Sequence, residues 1–334
     1  MDRRAELEAA IDEDPSDLRA YVVLGDYLQE IGDPRGELIA LQVAGQTRAA
    51  EQHLRAHPEL VPLGELSWRN GFVHRARVTS PAIASVLDHP SCRWIHSLEL
   101  TQIWDLQDAL DELARRPRMT LRELEVASTS REPDSFAELL EPNHPIFGPS
   151  QCTALPRLAR LVIRHENLVL ERVELPCLVE LRLDATSRSL PNVSAIGAAR
   201  WLALQRLDLR LDYAAGRGMV DTLRALLIDT HVPQLAHFGL HGSDVANQLL
   251  GDASSQLFAP HHALARLRSL DLSNSLLTDE TAGSLATAPL SLERLDVSRN
   301  QLTVHGIRAL SRIAQTVVAD DQYDGDRDDD LYDY

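Results

Sequence analysis

The sequence predicts an α/β solenoid, a horseshoe of parallel strands with helices outside, closed at its N-terminus by a small α-helical cap. Three observations predict it. The chain has 334 residues, beyond the roughly 100–200 of a usual single core, so it holds either several domains or one elongated array. Apolar residues recur at offsets zero, three and five along most of it, each set 20 to 37 residues after the last. Residues 1–60 instead place apolar side chains at three- and four-residue steps, the period of a helix face. The boundaries that follow are 1–60 for the cap, 61–318 for a solenoid of about 8–9 repeats, and 319–334 for an acidic Asp/Tyr-rich tail.

In the cap, Leu18, Tyr21, Leu24, Leu28 and Ile31 mark one helix face. Gly32 can end that helix, and Asp33-Pro34 opens the next with an N-cap acceptor followed by a proline. The run "DEDPSD" at 12–17 does similar work earlier.

Two repeats stand out, "LRSLDLSNSLLTDETAGSLATA" from Leu267 and "LERLDVSRNQLTVHGIRALSRI" from Leu292, offset by 25 residues. A short strand turns alternate residues inward, Asn300 (Ser275 in the earlier unit) bonds backbone groups opened by the turn, and an amphipathic helix returns the chain. The same offsets recover units starting at Ile95, Leu121, Leu158, Leu178, Leu204 and Leu235, and a small-residue strand at Val73 behind Trp68. Helices are expected from Met219 and Asp244, and a surface loop with one short helix from about Ser130 to Leu155. After Leu310 the last helix is expected to continue through "SRIAQTVV".

These units, L-x-x-L-x-L-x-x-N-x-L, resemble leucine-rich repeats. The segment Asp17–Gln42, "DLRAYVVLGDYLQEIGDPRGELIALQ", resembles the bacterial repeat-companion domain, with D-x-L at Asp26 and Leu28, "GDPRGE" at Gly32–Glu37, and Leu41-Gln42. "WRNGFVHRARV" from Trp68 is similar to the segment that joins that companion to its repeats, whereas Tyr27 departs from the family's frequent Trp. The resemblance implies a bacterial repeat protein of myxobacterial or planctomycete type and no common activity.

Net charge is −17, of which residues 320–334 supply eight Asp and one Arg, or −7. Such a field repels nucleic acid and anionic membrane and favours solubility or a basic partner. All 33 basic residues are Arg, which excludes Schiff-base and P-loop chemistry, both of which need a lysine amine. The charged N-terminus lacks an apolar signal core and no run is long enough for a membrane span, so a cytoplasmic location is expected. Cys92, Cys152 and Cys177 form no CxxC, consistent with a reducing compartment and buried thiols. No catalytic motif is present, and the expectation is a non-enzymatic chain without cofactor or metal. His237 and His241 would suit a metal on a helix, but on a strand four residues span about 13 Å.

The candidate site is the concave face. Outward positions in its middle gather Arg160, Arg164, Arg182, Arg206, Arg210, His237 and His241, partly offset by Glu180, Asp184 and Asp208. Either these residues pair among themselves across strands, or the guanidinium groups dock a protein or peptide through its carboxylates.

The tail carries Tyr323, Asp324, Asp326, Asp328, Asp329, Asp330, Tyr332, Asp333 and Tyr334, and four readings compete for it. It is a solvated acidic segment. It echoes a calcium loop from Asp320, although Leu331 holds the place of the bidentate Glu. It docks on the chain's own basic face. Or it is the core of a ribosomally made, post-translationally modified peptide, with the folded part as an oversized leader and a tailoring enzyme as partner. The leading expectation is a protein- or peptide-binding scaffold whose tail modulates binding, with the precursor reading as its alternative.

Overall fold

The computed structural model describes residues 2–79, 82–101, 106–127, 146–164, 169, 170, 172–185, 196, 199–211, 223–227, 231–242 and 263–323. The architecture is α/β with mostly parallel strands. Two compact units divide it, Met1–Pro145 with Ser150–Ala159, and Ile146–Pro149 with Arg160–Tyr334.

The first unit begins with helices α1 (Arg3–Glu13), α2 (Leu18–Glu30), α3 (Arg35–Val43) and α4 (Thr47–Ala56). Asp17 caps α2 by accepting from the Arg19 N–H at 2.9 Å, and Gly32 ends it in the left-handed region at φ 74°. Asp33 then accepts from the Arg35 N–H at 3.0 Å, which starts α3 as the Asp-Pro pair predicts. Helices α2 and α3 touch at Gly25 and Gly36, where a Cβ on Gly36 would lie 2.6 Å from the Gly25 carbonyl oxygen.

Strands β1 (Glu65–Arg69) and β2 (Phe72–Thr79) form an antiparallel hairpin, and β3 (Ser97–Thr101) and β4 (Glu123–Ala127) follow β2 in parallel. The hairpin turns at Asn70-Gly71, both at positive φ. Between strands lie α5 (Ile83–Asp88) and α6 (Leu106–Ala114), and α7 (Pro149–Ala154) follows β4. Ile11, Tyr21, Leu24, Leu28 and Ile39 of the helices share one core with Phe72 and Trp94. The Phe72 and Trp94 rings meet edge-on at 4.3 Å, and the Trp94 indole N–H donates to Asp12 at 2.7 Å. Burying aromatics from both segments makes the helices and the first strands a single cooperative core.

The second unit contains β5 (Ile146–Phe147), β6 (Arg160–Arg164), β7 (Val169–Leu170), β8 (Glu180–Ala185), β9 (Arg206–Leu211), β10 (His237–His241), β11 (Ser269–Asp271), β12 (Leu292–Asp296) and β13 (Ala314–Val318). Apart from the short β5–β7 pair, they run in parallel in the order β6-β8-β9-β10-β11-β12-β13. Leu181, Leu207, Phe238, Leu270, Leu295 and Val317 stand in one register row, and all but Val317 are buried. The alternate residues face the open side of the sheet.

At the turn after β12, Asn300 is fully buried. Its amide donates to the carbonyls of Leu272 at 2.8 Å and Val297 at 2.9 Å, and its Oδ1 accepts from the N–H groups of Ser275 and Leu277. Helices α8 (Asp279–Leu285) and α9 (Val304–Leu310) are capped by Thr278 and Thr303.

Two expectations are corrected. The last helix stops at Leu310, and "AQTVV" is β13. Ala314, Val317, Ala319 and Gln322 repeat the positions of Leu292, Leu295, Val297 and Asn300, and Gln322 does the asparagine's work, donating to Val297 O at 2.8 Å and accepting from Leu302 N–H at 3.1 Å. Cys177 is exposed, whereas Cys92 and Cys152 are buried; all three are free. Cys177 precedes the inward Leu178, in the loop before β8, so it faces away from the core.

Of the helix expected from Met219, residues 223–226 are helical, and the one from Asp244 lies outside the described residues. Among the described residues no helix is long and apolar enough to cross a membrane.

Candidate functional site

The open face of the second unit is a grid of three columns. Arg160, Glu180, Arg206, His237, Ser269 and Arg294 form the first, and Val162, Arg182, Asp208, Gly239, Asp271 and Asp296 the second. Arg164, Asp184, Arg210 and His241 begin the third. Parallel strands about 4.8 Å apart put each residue beside its column neighbours.

A cavity of about 350 Å³ opens on this grid, with Arg164, Arg182, Arg206, Arg210, His237 and His241 in its lining. Six of the seven sequence-derived face residues therefore converge, and Arg160 lies outside the lining. Asp271, Arg294 and Asp296 also line it, though they were not singled out from the sequence. Their outward offsets were readable, but their separation in sequence from the arginine-rich repeats hid the contribution.

Part of the charge is spent internally. Arg182 Nε lies 2.7 Å from Glu180 and 3.3 Å from Asp208, while Arg206 Nε stands 4.0 Å from the same Asp208 oxygen. Arg160 meets Glu180 at 3.4 Å, and Arg294 meets Asp296 at 2.9 Å. Arg210 is exposed and stands in register with Asp184. Partly exposed pairs of this kind are worth at most about 1 kcal/mol each. The face thus holds the cross-strand ladder, the first of the two expected arrangements.

Gly239 shapes the middle of the grid. A Cβ there would collide with Asp208 Oδ1 and sit 2.9 Å from His241 Nε2, so glycine lets the Asp208 carboxylate lean across β10 toward His241. Burial holds the Asp208 carboxyl above its ordinary range, with Asp271 adding to the effect and Arg206, Arg182 and His241 opposing it. His241 Nδ1 lies 3.0 Å from the Ser273 carbonyl oxygen. Because a carbonyl only accepts, Nδ1 carries the proton in this contact. Burial, then Arg206 and Arg268, pull the His237 imidazole below its usual value.

Among the described residues no group of three or more His, Cys, Asp or Glu is placed to hold a metal ion. In the first unit the open face is self-paired, with Arg77 at 2.7 Å from Glu99 and Arg75 at 3.4 Å from Glu123. In the tail, Tyr323 donates its N–H to the Asn300 carbonyl at 2.7 Å. Asp324, Asp326, Asp328, Asp329, Asp330, Tyr332, Asp333 and Tyr334 lie outside the described residues, as do most of the calcium-loop positions and the whole modified-core reading beyond Tyr323.

No protein-family model matches the chain, and no curated protein does. Among solved structures, the chain is similar to a protein from Bacteroides fragilis at a TM-score of 0.52 and 16% identity, over 72% of this chain and 71% of that one. That likeness concerns the fold alone.

Proposed function

We propose that this chain is a cytoplasmic, non-enzymatic leucine-rich-repeat protein, preceded by a repeat-companion cap, whose open face binds a protein or peptide segment through carboxylates. The repeat assignment is supported by the buried Asn300 and its stand-in Gln322. The companion assignment is supported by the helix ends at Gly32 and Asp33, where the resembling motif lies.

The observation that carries the binding function is the cavity of about 350 Å³ lined by Arg164, Arg182, Arg206, Arg210 and Arg294. Planar guanidinium groups match carboxylates in pairs, and several such groups on a rigid sheet select a ligand by the spacing of its acids. Repeat arrays host many partners, so the chemistry of the face decides the ligand class here.

An array of defined Asp- and Glu-rich 12-residue peptides tests it. Wild type should retain a subset at about 0.15 M salt, and Arg182→Glu with Arg206→Glu should lose that subset while melting cooperatively. Equal retention by both proteins would overturn the proposal.

A further inference from the structure

We infer that the outer edge of β13 pairs with the same edge of a second copy of this chain, antiparallel and about a two-fold axis at Thr316. Dimerisation through this edge is independent of what the open face binds. Free backbone groups, an unguarded strand and one charge-matched register point to it.

β13 pairs on one side with β12, and among the described residues no strand lies on its other side. The carbonyl of Val318 accepts from the Val297 N–H at 2.8 Å, and that of Asp320 from the Arg299 N–H at 2.9 Å. These residues therefore turn their backbone groups toward β12, and the residues between them turn theirs the other way. The N–H and C=O groups of Gln315, Val317 and Ala319 face away from β12, and among the described residues they have no hydrogen-bond partner.

The strand has none of the devices that guard an edge. From Ile313 to Ala319 it reads "IAQTVVA", with no charge and no proline, and its register with β12 keeps a constant offset. An edge of β-branched residues without charge, proline or bulge is a template for another strand. Gln315 and Thr316 are exposed, and Val317 is only half-buried although Leu295 beside it is fully buried. A strand laid along the edge would cover that end of the row.

The charges select the register of a second copy. An antiparallel pair forms hydrogen bonds only between residues that both point across the gap, so the two-fold axis falls on a residue and not between two. With the axis at Thr316, Gln315 and Val317 exchange bonds with Val317 and Gln315 of the second copy, and Thr316 meets its own equivalent. Arg312, on the turn that leads into β13, then comes opposite Asp320 of the second copy at both ends of the pair. Both side chains are exposed, and among the described residues neither has an ion-pair partner. An axis at Gln315 would set Arg312 against Val318, and one at Val317 would set it against Gln322. Of these three, only the central axis joins opposite charges, and symmetry joins them twice.

Sedimentation velocity of the full chain from about 1 to 200 μM, at about 0.15 M salt, tests it. An edge-to-edge contact is smaller than the ~1,200 Å² of a stable interface, so the dimer should be weak, with Kd on the order of 10 μM. Thr316→Lys sets two ammonium groups face to face and should stay monomeric while melting as cooperatively as wild type. Arg312→Asp and Asp320→Arg should each weaken the dimer about ten-fold, and the two together should restore it, because the exchanged charges meet again across the axis. In a Cys177→Ser background, Thr316→Cys should form a disulfide between copies on mild oxidation, and Gln315→Cys should not. Wild type that stays monomeric at ~200 μM would overturn the inference, whether the edge is open or covered by another segment of the chain. A dimer that survives Thr316→Lys would place the contact elsewhere and overturn it as well. Failure of the charge exchange to restore the dimer, or cross-linking at Gln315 in place of Thr316, would overturn the axis and the inference with it.

Discussion

Gln42 Oε1 accepts a hydrogen bond from the backbone N–H of Gly71 at 2.7 Å, tying helix α3 to the turn of the first hairpin. Gly71 lies at φ 82°, and a Cβ there would collide with Ile39. Gln42→Ala should lower the stability of the first unit by about 1–2 kcal/mol, the cost of leaving a half-buried N–H unpaired. Gly71→Ala should cost more, because it adds left-handed strain and a clash. Urea melts of the two variants, read by Trp fluorescence, check the order.

Asn300 satisfies backbone groups on both sides of the turn and is completely buried. Asn300→Ala should destabilise the second unit by about 2–4 kcal/mol. Gln322→Ala, which removes the equivalent bonds from a partly exposed position, should cost about 1 kcal/mol. Comparing chemical melts of the two variants tests whether Gln322 closes a further repeat. A cost at Gln322 equal to that at Asn300 would contradict its terminal place.

His74 and His96 stack at 4.8 Å in the first unit. Burial is the largest cause holding both imidazoles below their ordinary value. His96, Arg69 and Arg75 oppose charging of His74, whereas Glu123 favours it; for His96, Glu123 favours the charged ring against Arg122, Arg69 and Arg75. The unfolded chain therefore takes up protons first, near pH 6.5, so stability present above that value is lost as pH falls through and below it. Changing both to Gln should flatten the profile between about pH 7 and 5, as measured by urea midpoints across that range.

Gly239→Ala should push the Asp208 carboxylate off its position above β10. Arg182 and Arg206 share that carboxylate, so the substitution should alter peptide binding as well as lower the melting temperature by several degrees. Serine should do the same, since it also carries a Cβ. Peptide affinity that stays unchanged in both variants would show that Asp208 does not position the arginines.

Much of the fold was legible because the strand period is two and the inward positions are nearly all leucine. The Leu181, Leu207 and Leu295 register follows directly from their offsets, and so do the outward columns with Arg182, Asp208 and Arg210. β13 was missed because Ala314, Val317 and Ala319 replace leucines and a longer amide replaces asparagine. The Asn70-Gly71 hairpin had a sequence signal, but β1 is short and polar between its apolar residues. Cavity membership was less legible, since it depends on how far Arg294 and Asp296 extend. The closeness of Asp208 to Gly239 depends on a side-chain torsion that no residue pattern encodes.

In the second unit, the main strands pair in the order in which they are made. Each pairing closes a loop about one repeat long, and that length does not grow as the array lengthens. The entropic cost of forming contacts therefore stays nearly constant per repeat. A nascent chain can lay each new strand on the one before it as it leaves the ribosome, without waiting for a distant partner.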